Sequence, residues 1–393
     1  MLVTTPGTLV SAPTVQPCGL AREASPVRVG LIGCGAFSRF SMHHYRTLPG
    51  VSIDMVADIQ PDAAHRAAAE LGAKDVASET ILACPDIDLV YIATPPALHF
   101  QQAHSAILAG KHVLVEKPLA TTVADAEELR ALATARRRIC VANLIERYNP
   151  LAGATKQIID SKLLGELIHG LFINEAADEG LGRSHWFWDR KTSGGIFIEH
   201  GVHFFDLVAS WLGPGRVLSA SRGLRPGCDP PVEEQVMCTC RYNGVLFHFE
   251  HGFHQPSRMD RQEMRLVFER GELQLFDWVP THGVVRGLVD DAGQTMLMQM
   301  LPQANAYPLE WYEGTQQRLL GRFKPFEASA YVEITFTTGL DKLGIYGKVV
   351  GDLAADQIAW IRESTHVRRL TEADSVASVM MACAADEMAL AGP

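Results

Sequence analysis

The stretch from Val27 to Ser38 constrains this chain more than any other. A β-branched run, VRVGLIG (27–33), meets Gly33-Cys34-Gly35-Ala36-Phe37-Ser38 and then a helical pattern, AFSRFSMHHYRTL. Glycine at the first position allows the tight turn from strand into helix. Glycine at the second lets a pyrophosphate approach the backbone N–H groups of the helix N-terminus. The third small position holds Ser38, which still permits close helix–strand packing. Asp58 stands 25 residues beyond Gly33, at the end of the next run, SIDMVAD (52–58). A carboxylate there accepts hydrogen bonds from an adenosine ribose. It also repels a 2′-phosphate, and the following Ile59-Gln60 brings no cation, so NAD is favoured over NADP.

The pattern continues as alternating strands and helices. DLVYIAT (88–94), HVLVEK (112–117) and ICVANL (139–144) read as further buried strands, apolar on both faces and ending at polar or proline-bearing turns. Between them lie DAAHRAAAEL, PALHFQQAHSAILAG with Gly110 as a helix stop, and VADAEELRALATARRR with Thr121 or Thr122 as cap. Strands alternating with helices imply right-handed βαβ units and an α/β, doubly wound parallel sheet over residues 27–148.

After Asn149-Pro150 the character changes, and residues 149–393 read as a second, α+β domain. A helix near 151–164 precedes LIHGLFINEA, an aromatic loop and the helix HFFDLVASWLG. From about Arg216 to Phe276 short strands follow one another, with Tyr242-Asn243-Gly244 as a hairpin signal, which predicts a large, mostly antiparallel sheet. Phe247, Phe249 and Phe253 are read as leaning out of that sheet, toward a second copy of the chain in a homodimer or homotetramer. Residues 279–340 carry no clear pattern. Helices are expected near 346–363 and 373–390, the latter behind a Thr371–Asp374 capping box.

Composition narrows the function classes. At 393 residues and 20% charged, the chain is long enough for two domains and too apolar for disorder. A net charge of −10 opposes binding to nucleic acid or an anionic membrane, and no apolar run approaches the ~20 residues a membrane span needs. Residues 1–26, rich in Thr, Pro and Ser, lack the basic start and apolar core of a secretory signal and read as a flexible leader. Eight scattered cysteines point to free thiols and the cytoplasm. No metal is expected. Cys238 and Cys240 lack a second pair, and nothing completes a ligand set around His248, His251 and His254.

Together GLIGCG (30–35), ATPPALH (93–99), AGKHVLVEKP (109–118), RYNP (147–150) and SGGIFIEHGVHFFDL (193–207) resemble the glucose–fructose oxidoreductase, inositol dehydrogenase and rhizopine catabolism family of oxidoreductases. The glycine motif is common to many folds, whereas Glu116-Lys117-Pro118 and the double glycine followed by His203 are specific. The resemblance implies a Rossmann domain, a sheet domain that holds substrate, and a nicotinamide cofactor along Gly33, Gly35, Ala36, Phe37, Asp58, Thr94, Pro95, His99, Glu116, Lys117 and Arg147. It assigns action on the substrate to Lys117 and to His203, with Asn149 near the domain junction.

The residues themselves are compatible with that. Lys117 ends a strand at the carboxyl edge of the sheet, where ligands of doubly wound folds bind, and a lysine there can favour alkoxide character in a substrate hydroxyl. His203 has the ordinary pKa of a general base or acid, and Glu199, four residues earlier, is placed to orient it. The family commonly carries Asp at the position of Glu199, and His200 beside it is a further ionisable group. Asp206 reads as a structural partner, His99 as either structural or near the cofactor. Trp186 and Trp188 either stack on a sugar ring or fill the core.

The leading expectation is an NAD-dependent dehydrogenase or reductase that moves a hydride to or from a secondary alcohol of a sugar, cyclitol or polyol. A redox-neutral elimination, epimerisation or glycoside cleavage through a transient ketone uses the same residues. A non-catalytic nucleotide sensor would not need Lys117 and His203.

Overall fold

The computed structural model describes residues 26–392; the expected leader lies outside them. The first sheet is parallel, with order β3-β2-β1-β4-β5-β6. Its strands are β1 Val27–Ile32, β2 Val51–Ala57, β3 Lys74–Asp75, β4 Leu89–Ile92, β5 His112–Val115 and β6 Cys140–Ala142. The central strands β1, β4 and β5 are buried except at Arg28 and His112, as their apolar runs require. Helices α1 Ala36–Tyr45, α2 Pro61–Leu71, α3 Ser78–Ala83, α4 His99–Leu108 and α5 Val123–Arg136 make the crossovers. Thr122 caps α5 by accepting from Asp125 N, and Gly110 takes the left-handed backbone after α4. β3 and α3 were not foreseen; two and six residues long, they carry too little pattern to read.

The second half builds a nine-stranded sheet beside helices, in the order β14-β17-β13-β12-β11-β7-β10-β9-β8. In chain order its elements are α6 Pro150–Ser161, β7 Leu167–Ala177, α7 Arg190–Ser193 and α8 Val202–Leu212, then β8 Gly215–Leu224, β9 Glu233–Tyr242, β10 Val245–Gln255, β11 Arg261–Phe268 and β12 Gly271–Phe276. β13 His282–Val289, α9 Asp291–Met300, β14 Asn305–Trp311, β15 Arg318–Gly321, β16 Lys324–Glu327 and β17 Ala330–Thr337 follow. All pairings are antiparallel except β7 with β10. Asn243 and Gly244 both have positive φ, 45° and 91°, between the paired Tyr242 and Val245, the two-residue hairpin turn the sequence announced.

One expectation about this sheet is reversed. Phe247, Phe249 and Phe253 point inward, 0%, 0% and 8% exposed; Phe205 of α8 meets Phe249 with ring centroids 4.9 Å apart, while Phe187 and His200 pack on Phe253. Strand alternation then sends Leu246, His248 and Glu250 to the open face, so the aromatics fill the core instead of an intersubunit surface. The open face carries cross-strand charge pairs, among them Arg286 with Glu333 at 2.8 Å.

The last two helices, α10 Lys342–Arg362 and α11 Glu372–Ala391, return to the nucleotide-type sheet. α10 lies against α1, while α11 packs on α5 and α8 behind the complete Thr371–Asp374 capping box. On edge strand β6 the N–H of Cys140 donates to Glu372 Oε1 (3.1 Å) and that of Ala142 to Ser375 Oγ (3.1 Å). α11 thereby satisfies a sheet edge that would otherwise stay open.

Candidate active site

The turn between β1 and α1 shows why its glycines are there. Gly33 has φ +94°, and a Cβ on it would lie 2.5 Å from the Ala93 carbonyl oxygen. Around Gly35 a Cβ would meet nothing within 4 Å, so open space faces the start of α1. That helix has no side-chain cap and no acidic residue in its first turn. Its first N–H groups and positive dipole end are thus free for an anion. Asp58 fixes the loop from below: one carboxylate oxygen accepts from Cys34 N at 2.7 Å, the other from Gln60 N at 2.8 Å.

Two cavities meet at this loop. One, of about 470 Å³, is lined by Gly33, Asp58, Ile59, Thr94 and Pro95 among others. Ile59 is 91% exposed, an apolar side chain with no protein partner, suited to lie under a flat base. The other, of about 480 Å³, is lined by Ala36, Phe37, Glu116, Lys117, Glu199 and His203, and by the aromatic rings of Trp186, Trp278 and Tyr346. Gly35, Ala93 and Thr94 belong to both. A dinucleotide laid across the glycine loop would have its adenosine end at Asp58 and its other ring beside Lys117. The open cradle at Gly35 and the uncapped helix fit that cofactor.

Lys117 reaches this cavity from the end of β5, and Glu199 from a π-helical turn, Phe197–Gly201, that leads into α8. Such turns are frequent at functional sites because they displace side chains from the regular helical register. Lys117 Nζ donates to Glu199 Oε1 and, at 2.9 Å, to the Glu199 carbonyl. The carboxylate is therefore engaged by Lys117 and makes no hydrogen bond to His203, contrary to the expectation that it orients that ring. Both His203 ring nitrogens are buried without a partner. Burial first, then Lys117 and His251, holds the His203 pKa well below the usual 6.5, so the imidazole is neutral at pH 7. Glu116 accepts from the Tyr91 hydroxyl and from Asn143 Nδ2 (2.9 Å), and burial raises it to about 7.

Several residues expected at the cofactor or substrate sit elsewhere. His99 is fully buried, its ring nitrogens 2.7 Å from the Pro118 carbonyl and 2.8 Å from that of Thr94, so it ties two loops together behind the cavity wall. Arg147 is clamped by Asp206 (2.7 Å to each carboxylate oxygen) and Asp374 (2.9 Å), and lines a separate cleft between α8 and α11. Asn149 caps α6, accepting from Leu151 N and donating to the Pro280 carbonyl, both at 2.9 Å. Trp188 donates to the Leu181 carbonyl and lies under Arg225, away from the cavity that Trp186 lines.

His200 is buried too, but it shapes the site through a neighbour. The Trp278 indole N–H donates to His200 Nε2 at 2.8 Å, which places the proton of this neutral ring on Nδ1, donating to His251 Nδ1 at 3.1 Å. Trp278, so anchored, stands edge-on to His203 with ring centroids 5.0 Å apart. Trp278, Tyr346 and Asn143 were missed from sequence. Asn143, a lone polar residue closing an apolar strand, was the one readable signal among them.

Residues 27–144 match the profile of the GFO/IDH/MocA oxidoreductase family with an NAD-binding Rossmann fold, and residues 153–274 match that family's C-terminal domain. The chain belongs to this oxidoreductase family. Among curated relatives, a dTDP-3,4-didehydro-2,6-dideoxy-alpha-D-glucose 3-reductase of Saccharopolyspora spinosa is 26% identical over 298 residues, 74% of this chain and 89% of that protein. A glycosyl hydrolase family 109 protein of Shewanella amazonensis is 30% identical over 199 residues, 46% of this chain, which spans 44% of that longer relative. Of solved structures, levoglucosan dehydrogenase in complex with NADH and levoglucosan superposes with a TM-score of 0.74 at 20% identity, covering 93% of this chain and 98% of that one. That likeness establishes the fold. Among the described residues no helix is long and apolar enough to cross a membrane.

Proposed function

We propose that the chain is an NAD-dependent dehydrogenase or ketone reductase acting on a secondary alcohol of an uncharged sugar, cyclitol or related polyol. The carrying observation is that Lys117 and the unpartnered, neutral His203 open into one cavity continuous with the dinucleotide cradle. NAD, when bound, accepts or supplies the hydride. His203 takes the hydroxyl proton, and Lys117 hydrogen-bonds the same oxygen and stabilises its developing charge.

The substrate's charge follows from the lining. Lys117 is the only Lys or Arg among the described lining residues, and Glu199 already neutralises it. A phosphate or carboxylate on the substrate would find no cation there. Trp186, Trp278 and Tyr346 instead bring aromatic surface against which an apolar sugar face can pack. A screen should therefore find NAD reduction with neutral polyols or glycosides, or NADH oxidation with their keto forms, and neither with their phosphates. Activity confined to anionic substrates would overturn this reading. Glu199 supplies one reason to analyse products as well. A carboxylate beside His203 at the reacting ring suits elimination or epimerisation through a transient ketone, and product without net NADH would identify that course.

Asp58 and the absence of a cation after it support NAD over NADP. Asp58→Ser should narrow the affinity ratio, and it should weaken NAD as well because the Cys34 N–H loses its acceptor. Calorimetry showing that the wild-type protein prefers NADP would refute the assignment. We also infer a cytoplasmic homodimer or homotetramer. The seven described cysteines are all free, and the open sheet face sets half-buried Leu171, Ile173 and Leu288 among its charges. Sedimentation velocity at micromolar concentration should show the oligomer; a monomer would contradict it.

A further inference from the structure

We propose that the cleft at the amino ends of β5 and β6 is a second binding site, independent of the active site, for a small metabolite bearing phosphate or several carboxylates. The cleft measures about 620 Å³ and lies between the end of α5 and the segment joining α10 to α11. Arg137, Arg138, Arg368, His112 and Trp360 line it, with the Thr134 and Ser364 hydroxyls at its sides. Its one acidic group, Glu372, is already taken by Arg368 through bonds of 2.9 and 2.7 Å.

The positive charge that remains has no protein partner. Arg136, Arg137 and Arg138 make no ion pair among the described residues, and the side-chain bonds of Arg136 and Arg138 go to backbone carbonyls. Three such arginines in a row are notable in a chain of net charge −10. The dipole at the end of α5 accounts for Arg136, and Arg138 Nε closes the Gly110 carbonyl. Neither effect calls for Arg137 at φ +52°, a left-handed position where Gly or Asn ordinarily stands. Nor does either call for a cleft lined by both Arg137 and Arg138.

The surrounding groups fit an anion. Arg368 lies over the Trp360 ring at 5.0 Å, forming a rigid floor. Ile139 N–H donates to His112 Nδ1 at 3.2 Å, so the ring, held neutral by burial first and then by Arg138 and Arg368, keeps its proton on Nε2. Guanidinium pairs recognise phosphate and carboxylate through paired N–H donors.

The test is isothermal titration of the full-length protein, saturated with NAD so that the dinucleotide groove is closed to the probe. Inorganic pyrophosphate and tricarballylate are titrated separately. At least one should bind with a submillimolar Kd, and which one binds identifies phosphate or carboxylate as the ligand's anionic group. Arg137→Gln/Arg138→Gln should weaken that binding at least tenfold with NAD affinity unchanged, and Arg137→Lys/Arg138→Lys, which keeps the charge but not the paired donors, should lose less of it than the Gln variant. No binding of either probe, or equal affinity in the Gln variant, would overturn the proposal.

Discussion

Replacing His203 by Asn should lower turnover by roughly 10²–10⁴-fold, the usual worth of a positioned general acid or base. NAD affinity and folding should hardly change. That combination follows from an unusual freedom: among the described residues neither ring nitrogen of His203 has a hydrogen-bond partner, so Asn breaks no network there. A buried histidine that contributes no internal hydrogen bond is costly unless a substrate hydroxyl supplies the partner. Single-turnover NADH absorbance, with NAD binding measured by calorimetry, separates the two effects; unimpaired turnover in the variant would remove His203 from the proposed role. The pH profile adds a second readout. Since burial lowers the His203 pKa, the acid limb of kcat/KM assigned to it should fall below pH 6.5, whereas a limb near 7 belongs to Glu116 and should vanish in Glu116→Gln.

Lys117→Met should lose both activity and stability, for separable reasons. Lys117 and Glu199 form a pair with side chains only 17% and 9% exposed, and removing one partner of a buried pair costs about 3–5 kcal/mol because the other charge is stranded. Lys117→Met/Glu199→Gln removes both charges and should recover most of the melting temperature. It should not recover turnover, which we expect to stay down by about 10²–10³-fold, the cost of losing one donor to a developing oxyanion. Recovery of turnover along with stability would mean that Lys117 serves the fold alone. Glu199→Asp extends the comparison. The shorter side chain should keep net redox activity, while a redox-neutral course that depends on its reach would lose product but keep the first hydride step.

The nucleotide half was legible because its strands are buried on both faces and its turns carry their own chemistry, as at Gly33, Asp58 and Thr122. The second half was legible where alternation and a turn coincided, as at Asn243-Gly244. Alternation alone does not say which face is covered, and the position of α8 reversed the reading of Phe247 and Phe249. Within residues 279–340, β14 gave little because it is exposed along nearly its whole length, although β13 and β17 beside it alternate in burial. At the site, Lys117, Glu199 and His203 stood in segments with strong local signals. Arg147, Asn149 and His99 shared those signals, yet each is consumed by a structural bond with a residue or carbonyl remote in sequence. Trp278 and Tyr346 reach the cavity from β12's end and from α10, a meeting that only the sheet order and helix packing bring about.

The docking of α11 on β6 also bears on the order in which the chain is made. Cys140 and Glu372 are 232 residues apart, so the nucleotide-type sheet leaves the ribosome with its β6 edge bare. At roughly 5–20 residues per second, that edge waits on the order of ten to fifty seconds for the helix that closes it. Premature termination anywhere in the second half thus yields a product whose first domain is whole in sequence but still has an exposed strand. Such a fragment is a natural substrate for chaperones and proteases.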